Sequence, residues 1–131
     1  MGPSRDGTAD FLKSMFYDPA SVTDEMVDIS FEWSSMSTSA VVYLGTLRSF
    51  INVFGLKRKV IQNTLNQSKH IKIPALILWG QDDKIIPVEQ AYIARNTLSN
   101  ANLYVLEKCG HMPQVECAYE FNRIVLEFLA Q

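Results

Sequence analysis

Two short turns hold the residues of this chain best suited to proton chemistry. The first, Gly80-Gln81-Asp82-Asp83, closes an apolar run in IPALILWGQDDKIIP, which begins at Ile73. The second, Cys109-Gly110-His111, follows another run, Leu103 to Leu106, in NLYVLEKCGHMPQVE. A carboxylate beside an imidazole is the working pair of a charge-relay site. The acid fixes the ring's tautomer and stabilises its cation, and the neutral ring takes up a proton near pH 7 and later returns it. Asp83 is the candidate acid, with Asp82 the neighbour that could be mistaken for it. Taken singly, Asp83 also reads as a turn residue bonding its own backbone, and His111 as a structural histidine. The pair is what carries chemistry. His70, in a polar connector ahead of the first run, is not expected to belong to it.

A relay also needs a nucleophile, and the sequence offers poor ones. Ser34, Ser35, Ser37 and Ser39 lie around a helix–helix junction without glycine neighbours, so helix capping accounts for them better. Cys109 adjoins the base in sequence but not on a strand-to-helix turn, and reads as a small, partly buried residue. Cys109, His111 and Cys117 make three ligands where a structural zinc site wants four, and no Cys-x-x-Cys occurs. No metal and no cofactor are expected. Trp79, Tyr43, Met15, Met26 and Met36 could line an apolar substrate pocket, although plain core is the favoured reading.

Elements that position the pair follow from periodicity. A strand, a turn, a helix over Ala91 to Leu98 opened by Pro87 and Glu89, and a second strand entered at Asn100 bring both turns to the same end of adjacent parallel strands. Open α/β sheets place ligands at that end. A closing helix, Ala118 to Leu129, should bury Phe121, Ile124 or Val125, Phe128 and Leu129. The first half reads as helical. Residues 1–7 are a flexible lead-in, and Thr8 caps a helix carrying Phe11, Met15 and Phe16 that stops at Tyr17-Asp18-Pro19. Thr23-Asp24-Glu25 opens a second helix. A third, capped by Ser39, repeats Val42 or Tyr43, Leu47, Phe50 or Ile51 and Phe54, and ends at Gly55. Residues 57–67 form a shorter helix, and Asn66 to Lys69 a connector. The shift from helical to β-α-β-α pattern falls at His70.

Composition narrows the class. The 131 residues, 47% of them hydrophobic, suffice for one modest core, and a net charge of −2 argues against a grip on nucleic acid. The basic run Lys57-Arg58-Lys59 is read as a solvated helix end. No apolar stretch nears the roughly 20 residues that span a bilayer, and no signal-peptide core is seen. Two cysteines in that setting suggest reduced thiols and a cytoplasmic protein. Two parallel strands alone make an incomplete sheet, so a neighbour is expected beside Ala75–Trp79.

The combined motifs resemble the last two strands of an α/β-hydrolase. In that family the acid follows the next-to-last strand in a Gly-x-x-Asp-x-x-x-Pro turn, met here by Gly80, Asp83 and Pro87, and the histidine sits in a Gly-His turn, met by Gly110 and His111. The stretch FLKSMFYDPASVTDEMV is similar to the cap ahead of those strands, most like the branch that includes the meta-cleavage-product hydrolases, which cut carbon–carbon bonds. The resemblance implies a partial α/β-hydrolase: a helical cap (8–69) followed by a C-terminal β-α-β-α segment of a parallel sheet (70–131). It implies Asp83 and His111 as catalytic residues and a small apolar ester or ketone as substrate of the complete enzyme. It also implies a serine in a Gly-x-Ser-x-Gly elbow. That motif occurs nowhere in the chain, and the family's order of residues places it ahead of Met1, so the chain alone is expected to be inactive. The alternative is a non-catalytic module that self-associates through exposed strand edges or complements a missing half.

Overall fold

The structure is a computed structural model that describes residues 3–36, 38–52 and 55–130. Helix α1 (Arg5–Met15) begins earlier than expected, because Ser4 rather than Thr8 caps it: the Ser4 hydroxyl accepts the Gly7 N–H at 3.1 Å. The lead-in therefore stops short of residue 7. Asp18 caps a single 3-10 turn (Pro19–Ser21), and Thr23 caps α2 (Asp24–Ser35) through the Met26 N–H, as the acidic first turn anticipated. Helices α1 and α2 pack together, with Arg5 paired to Asp24 and Asp28 at the rim; Val27 of α2 and Phe16, just past α1, are 3% and 1% exposed.

Helix α3 (Ser39–Phe50) starts at Ser39, with the Thr38 carbonyl accepting the Val42 N–H, so Ser39 is not its cap. It also ends sooner than Gly55. Strands β1 (Ile51–Asn52) and β2 (Gly55–Leu56) pair antiparallel, Ile51 opposite Leu56. A β-branched residue and a glycine near a helix terminus favour such a hairpin over another helical turn. The expected positions Ser37 and Phe54, and the side chains at Ser39, Tyr43, Phe50 and Ile51, lie outside the described residues. The apolar stripe of α3 is not buried: Val41 and Val42 are 73% and 66% exposed, and Leu47 is half-buried. Helix α4 (Arg58–Ser68) takes in most of the expected connector, since Asn66 and Gln67 carry nothing that breaks a helix and the Ser68 hydroxyl bonds back to the Thr64 carbonyl.

From residue 75 the pattern is β3 (Ala75–Gly80), α5 (Glu89–Thr97), β4 (Ala101–Leu106), α6 (Pro113–Glu116) and α7 (Ala118–Leu129). Strands β3 and β4 run parallel in the register Ala75↔Ala101 through Gly80↔Leu106, so both strands end level. Among the described residues β3 pairs with β4 alone, and its residues 75–79 are only half-buried. Leu106, Cys109 and Ile124 form the core, with Leu76, Leu78 and Cys117 against it. Ile124 of α7 is 2% exposed, whereas Leu129, expected inside, is 73% exposed at the helix end. No helix among the described residues is long and apolar enough to cross a membrane.

Candidate active site

The acid turn is built by a close backbone approach. A Cβ on Gly80 would collide with the carbonyl oxygens of Gly110 and Cys109, so only glycine lets the end of β3 lie against the histidine turn. Beyond it, the Gln81 N–H donates to the Leu106 carbonyl and the Asp82 N–H to the Cys109 carbonyl, both at 2.9 Å. The two turns are thus stitched together before any side chain takes part.

Asp83 then divides its two oxygens. Oδ1 accepts the N–H groups of Ile85 and Ile86 at 2.8 and 2.9 Å, while Oδ2 lies 2.8 Å from Nδ1 of His111. The backbone bonds of the turn and the approach to His111, alternatives in the sequence, coexist because each oxygen serves one. The Asp83 side chain is 4% exposed. Burial raises its pKa, but the Ile86 N–H, the His111 ring and the Ile85 N–H outweigh it, holding the carboxyl below its ordinary value. Asp82 contributes its backbone to the stitching, and the imidazole meets Asp83 instead.

His111 stands on a turn that the chain works to hold. Lys108 adopts φ 52°, a left-handed conformation that turns β4 toward Cys109. Cys109 is fully buried against Leu106 and Ile124, and burial together with the adjoining Cys117 thiol pushes its own thiol's pKa up, away from the thiolate form. Gly110 has no room for a Cβ between the Met15 carbonyl, the Tyr17 N–H and Glu116. The His111 N–H donates to the Met15 carbonyl at 2.7 Å. Glu116, which the sequence reading passed over, accepts the N–H groups of Gly110 and Met112 on Oε1 at 3.0 and 3.1 Å, and that of Tyr17 on Oε2 at 2.6 Å. A turn with several N–H groups and no strand partner needs an acceptor. That accounting, applied to a Glu five residues beyond the histidine, was the available signal.

With Nδ1 engaged, Nε2 is the ring atom left to exchange protons. His111, its side chain 28% exposed, lines with Asp83 a cavity of about 230 Å³ walled by Leu78, Trp79, Pro113, Gln114 and Phe121. Trp79, read mainly as core, faces this cavity, and its Nε1–H donates to the Ile86 carbonyl beside the acid turn. Met15 and Met26 are half-buried, and Met36 is 51% exposed, so the core reading fails for Met36. Ser34 is spent on the Phe31 carbonyl within α2, and His70 lies on an exposed turn after α4. Such an arrangement can take a proton from a hydroxyl delivered into the cavity and give it to a leaving group.

Level parallel strand ends carrying an acid turn and a Gly-His turn define a class. The sequence pattern described as alpha/beta hydrolase fold matches residues 22–118, and the chain belongs to that family. Within it, the chain is 34% identical to the 2-hydroxy-6-oxononadienedioate/2-hydroxy-6-oxononatrienedioate hydrolase of Burkholderia vietnamiensis, over 95% of this chain and 43% of that protein. It is 30% identical to the protein of the same name from Paraburkholderia phymatum, over 99% of this chain and 44% of that one. The fold is similar to a crystallised meta-cleavage product hydrolase, CumD, with a TM-score of 0.80 and 25% identity over 99% of this chain and 47% of that one. The chain therefore spans less than half the length of the curated relatives it matches.

Proposed function

We propose that this chain is the acid- and histidine-bearing part of a hydrolase that cleaves a carbon–carbon bond next to a ketone, with the nucleophile supplied by polypeptide outside these residues. The single observation that carries the reading is the 2.8 Å approach of Asp83 Oδ2 to His111 Nδ1, on turns that end level strands. Asp83 holds the Nδ1–H tautomer. Nε2 of His111 takes the proton of an attacking hydroxyl, the hydroxyl adds to the ketone carbon, and the carbon–carbon bond breaks with the proton delivered to the departing carbon. The Leu78, Trp79, Pro113 and Phe121 wall supports contact with a hydrocarbon stretch of substrate. Residues 8–69 serve as the cap and 70–131 as core, and the free thiols of Cys109 and Cys117 support a cytoplasmic setting.

The test is a hybrid that joins this chain to the N-terminal portion of the Burkholderia vietnamiensis relative. It is assayed against a dienol ring-fission product and a simple aryl ester. Loss of the dienol absorbance, abolished by His111→Ala, is the expected result. Turnover of the ester alone would refute carbon–carbon cleavage, and turnover indifferent to His111→Ala would refute the assignment of the base.

A second reading is favoured by two observations: Val41, Val42 and Leu44 are exposed on α3, and β3 pairs on one edge only among the described residues. On that reading the chain is a non-catalytic module that pairs with a copy of itself or with a missing half. Size-exclusion chromatography separates the two. A folded, inactive dimer supports the module, and a compact, active monomer sinks both.

A further inference from the structure

Two stretches of chain, distant in sequence, converge on one carboxylate. Glu116 Oε2 receives the Tyr17 N–H, and Tyr17 lies just beyond α1 in the helical segment. Oε1 receives Gly110 and Met112, the residues on either side of His111. The His111 N–H completes the knot by donating to the Met15 carbonyl at 2.7 Å. Each bond to Glu116 ends on a charged acceptor, the stronger kind. We propose that Glu116 is a positioning residue: by bridging the end of α1 to both sides of His111, it holds the imidazole against Asp83 and fixes the helical segment over the same site. This rests on His111 being the base, as set out above.

The geometry makes the role specific. Tyr17 is 99 residues from Glu116 in sequence, so this contact fastens the first helical layer to the end of the sheet. A Cβ on Gly110 would collide with the Met15 carbonyl, the Tyr17 N–H and Glu116 Oε1, so the turn, the end of α1 and the carboxylate approach one another more closely than any side chain at 110 would allow. A purely structural acid would tie down α6 alone. This one is the acceptor for N–H groups on two layers, and both layers border His111.

The experiment uses the ¹⁵N-labelled chain. In Glu116→Gln, the amide has one acceptor oxygen and cannot serve both layers. Amide exchange should therefore quicken by about tenfold or more at Tyr17, or at Gly110 and Met112 together. The ¹⁵N ring signature of His111 should lose part of its Nδ1–H character while the amide spectrum of β4 and α7 stays in place. Exchange within twofold of the parent at all three amides, or an unchanged ring, overturns the proposal. If the variant fails to fold, a pH titration of the unsubstituted chain decides. The Tyr17, Gly110 and Met112 amides should shift with one midpoint, shared with the Glu116 carboxyl carbon, and three unrelated midpoints would defeat the idea. Asp83→Asn separates this proposal from the reading beneath it. A ring indifferent to Asp83→Asn removes His111 as an oriented base, whereas the amide results judge Glu116 independently.

Discussion

Replacing Asp83 by Asn asks whether the carboxylate, and not merely its shape, orients His111. An asparagine oxygen can still accept the Ile85 and Ile86 N–H groups, so the turn keeps its local bonds. Its amide nitrogen, however, would meet Nδ1 of His111, where two N–H groups cannot face each other. The ring must move its proton to Nε2, the atom needed for base chemistry. The folded state exchanges a charge-assisted bond of roughly 1.5–3 kcal/mol for a neutral one of about 1 kcal/mol. A loss of about 1–2 kcal/mol at neutral pH is expected. The pH dependence follows from the direction of the shift. Asp83 titrates lower in the folded chain than its unfolded value of about 3.9, so its contribution is present above pH ~4 and disappears as pH falls through the folded value. Urea melts at a series of pH values between pH 7 and pH 2 should show a shallower acid limb in Asp83→Asn than in the parent, and ¹⁵N spectra should show the ring switched to Nε2–H. If His111 is the base as proposed, the wrong tautomer should cost about 10⁴ in kcat in the complete enzyme, the loss that follows when an Asn replaces the acid of a relay. An unchanged acid limb with a ring still protonated on Nδ1 would refute the assignment.

Gly80→Ala should destabilise the chain by about 2 kcal/mol or more, because the collision is with backbone carbonyls that cannot step aside; a thermal melt equal to the parent's would contradict the close approach. Lys108→Gly should stabilise by roughly 0.5–1 kcal/mol by relieving a left-handed lysine, read as a raised denaturation midpoint, and a lowered one would show that the lysine side chain matters more than its φ. Ile124→Ala, at the one fully enclosed position of α7, should cost about 2–4 kcal/mol, whereas Leu129→Ala should stay within about 0.5 kcal/mol. Equal losses at the two positions would mean that the burial is misassigned.

The second half of the chain was far more legible than the first. Apolar runs closed by Gly80 and followed by Asp83 and His111 specify strands, turns and their common end, because strand length and turn chemistry are local signals. Thr23 was readable for the same reason: a cap is a bond between neighbours in sequence. Ser4 was missed because Thr8 is an equally good cap by type, and only the geometry of the first turn decides between them. The exposure of Val42 has a different cause. Helical periodicity says which residues lie on one face, and it does not say whether anything covers that face. Glu116 escaped because its partners include Tyr17, a contact across the fold that no spacing rule encodes.

The level ends of β3 and β4 have a consequence for how such a chain can vary. Asp83 lies three residues past Gly80, and His111 five past Leu106, so the meeting of acid and base is gauged by two short counts from a shared baseline. Helix α5 stands outside that count, beyond the Ile85 and Ile86 N–H groups that hold Asp83. Changes there leave both counts as they are, while adding or removing one residue at 81–82 or 107–110 would carry one partner past the other. A ruler with two fixed ends and an adjustable middle lets the surroundings of the site drift while its spacing stays put.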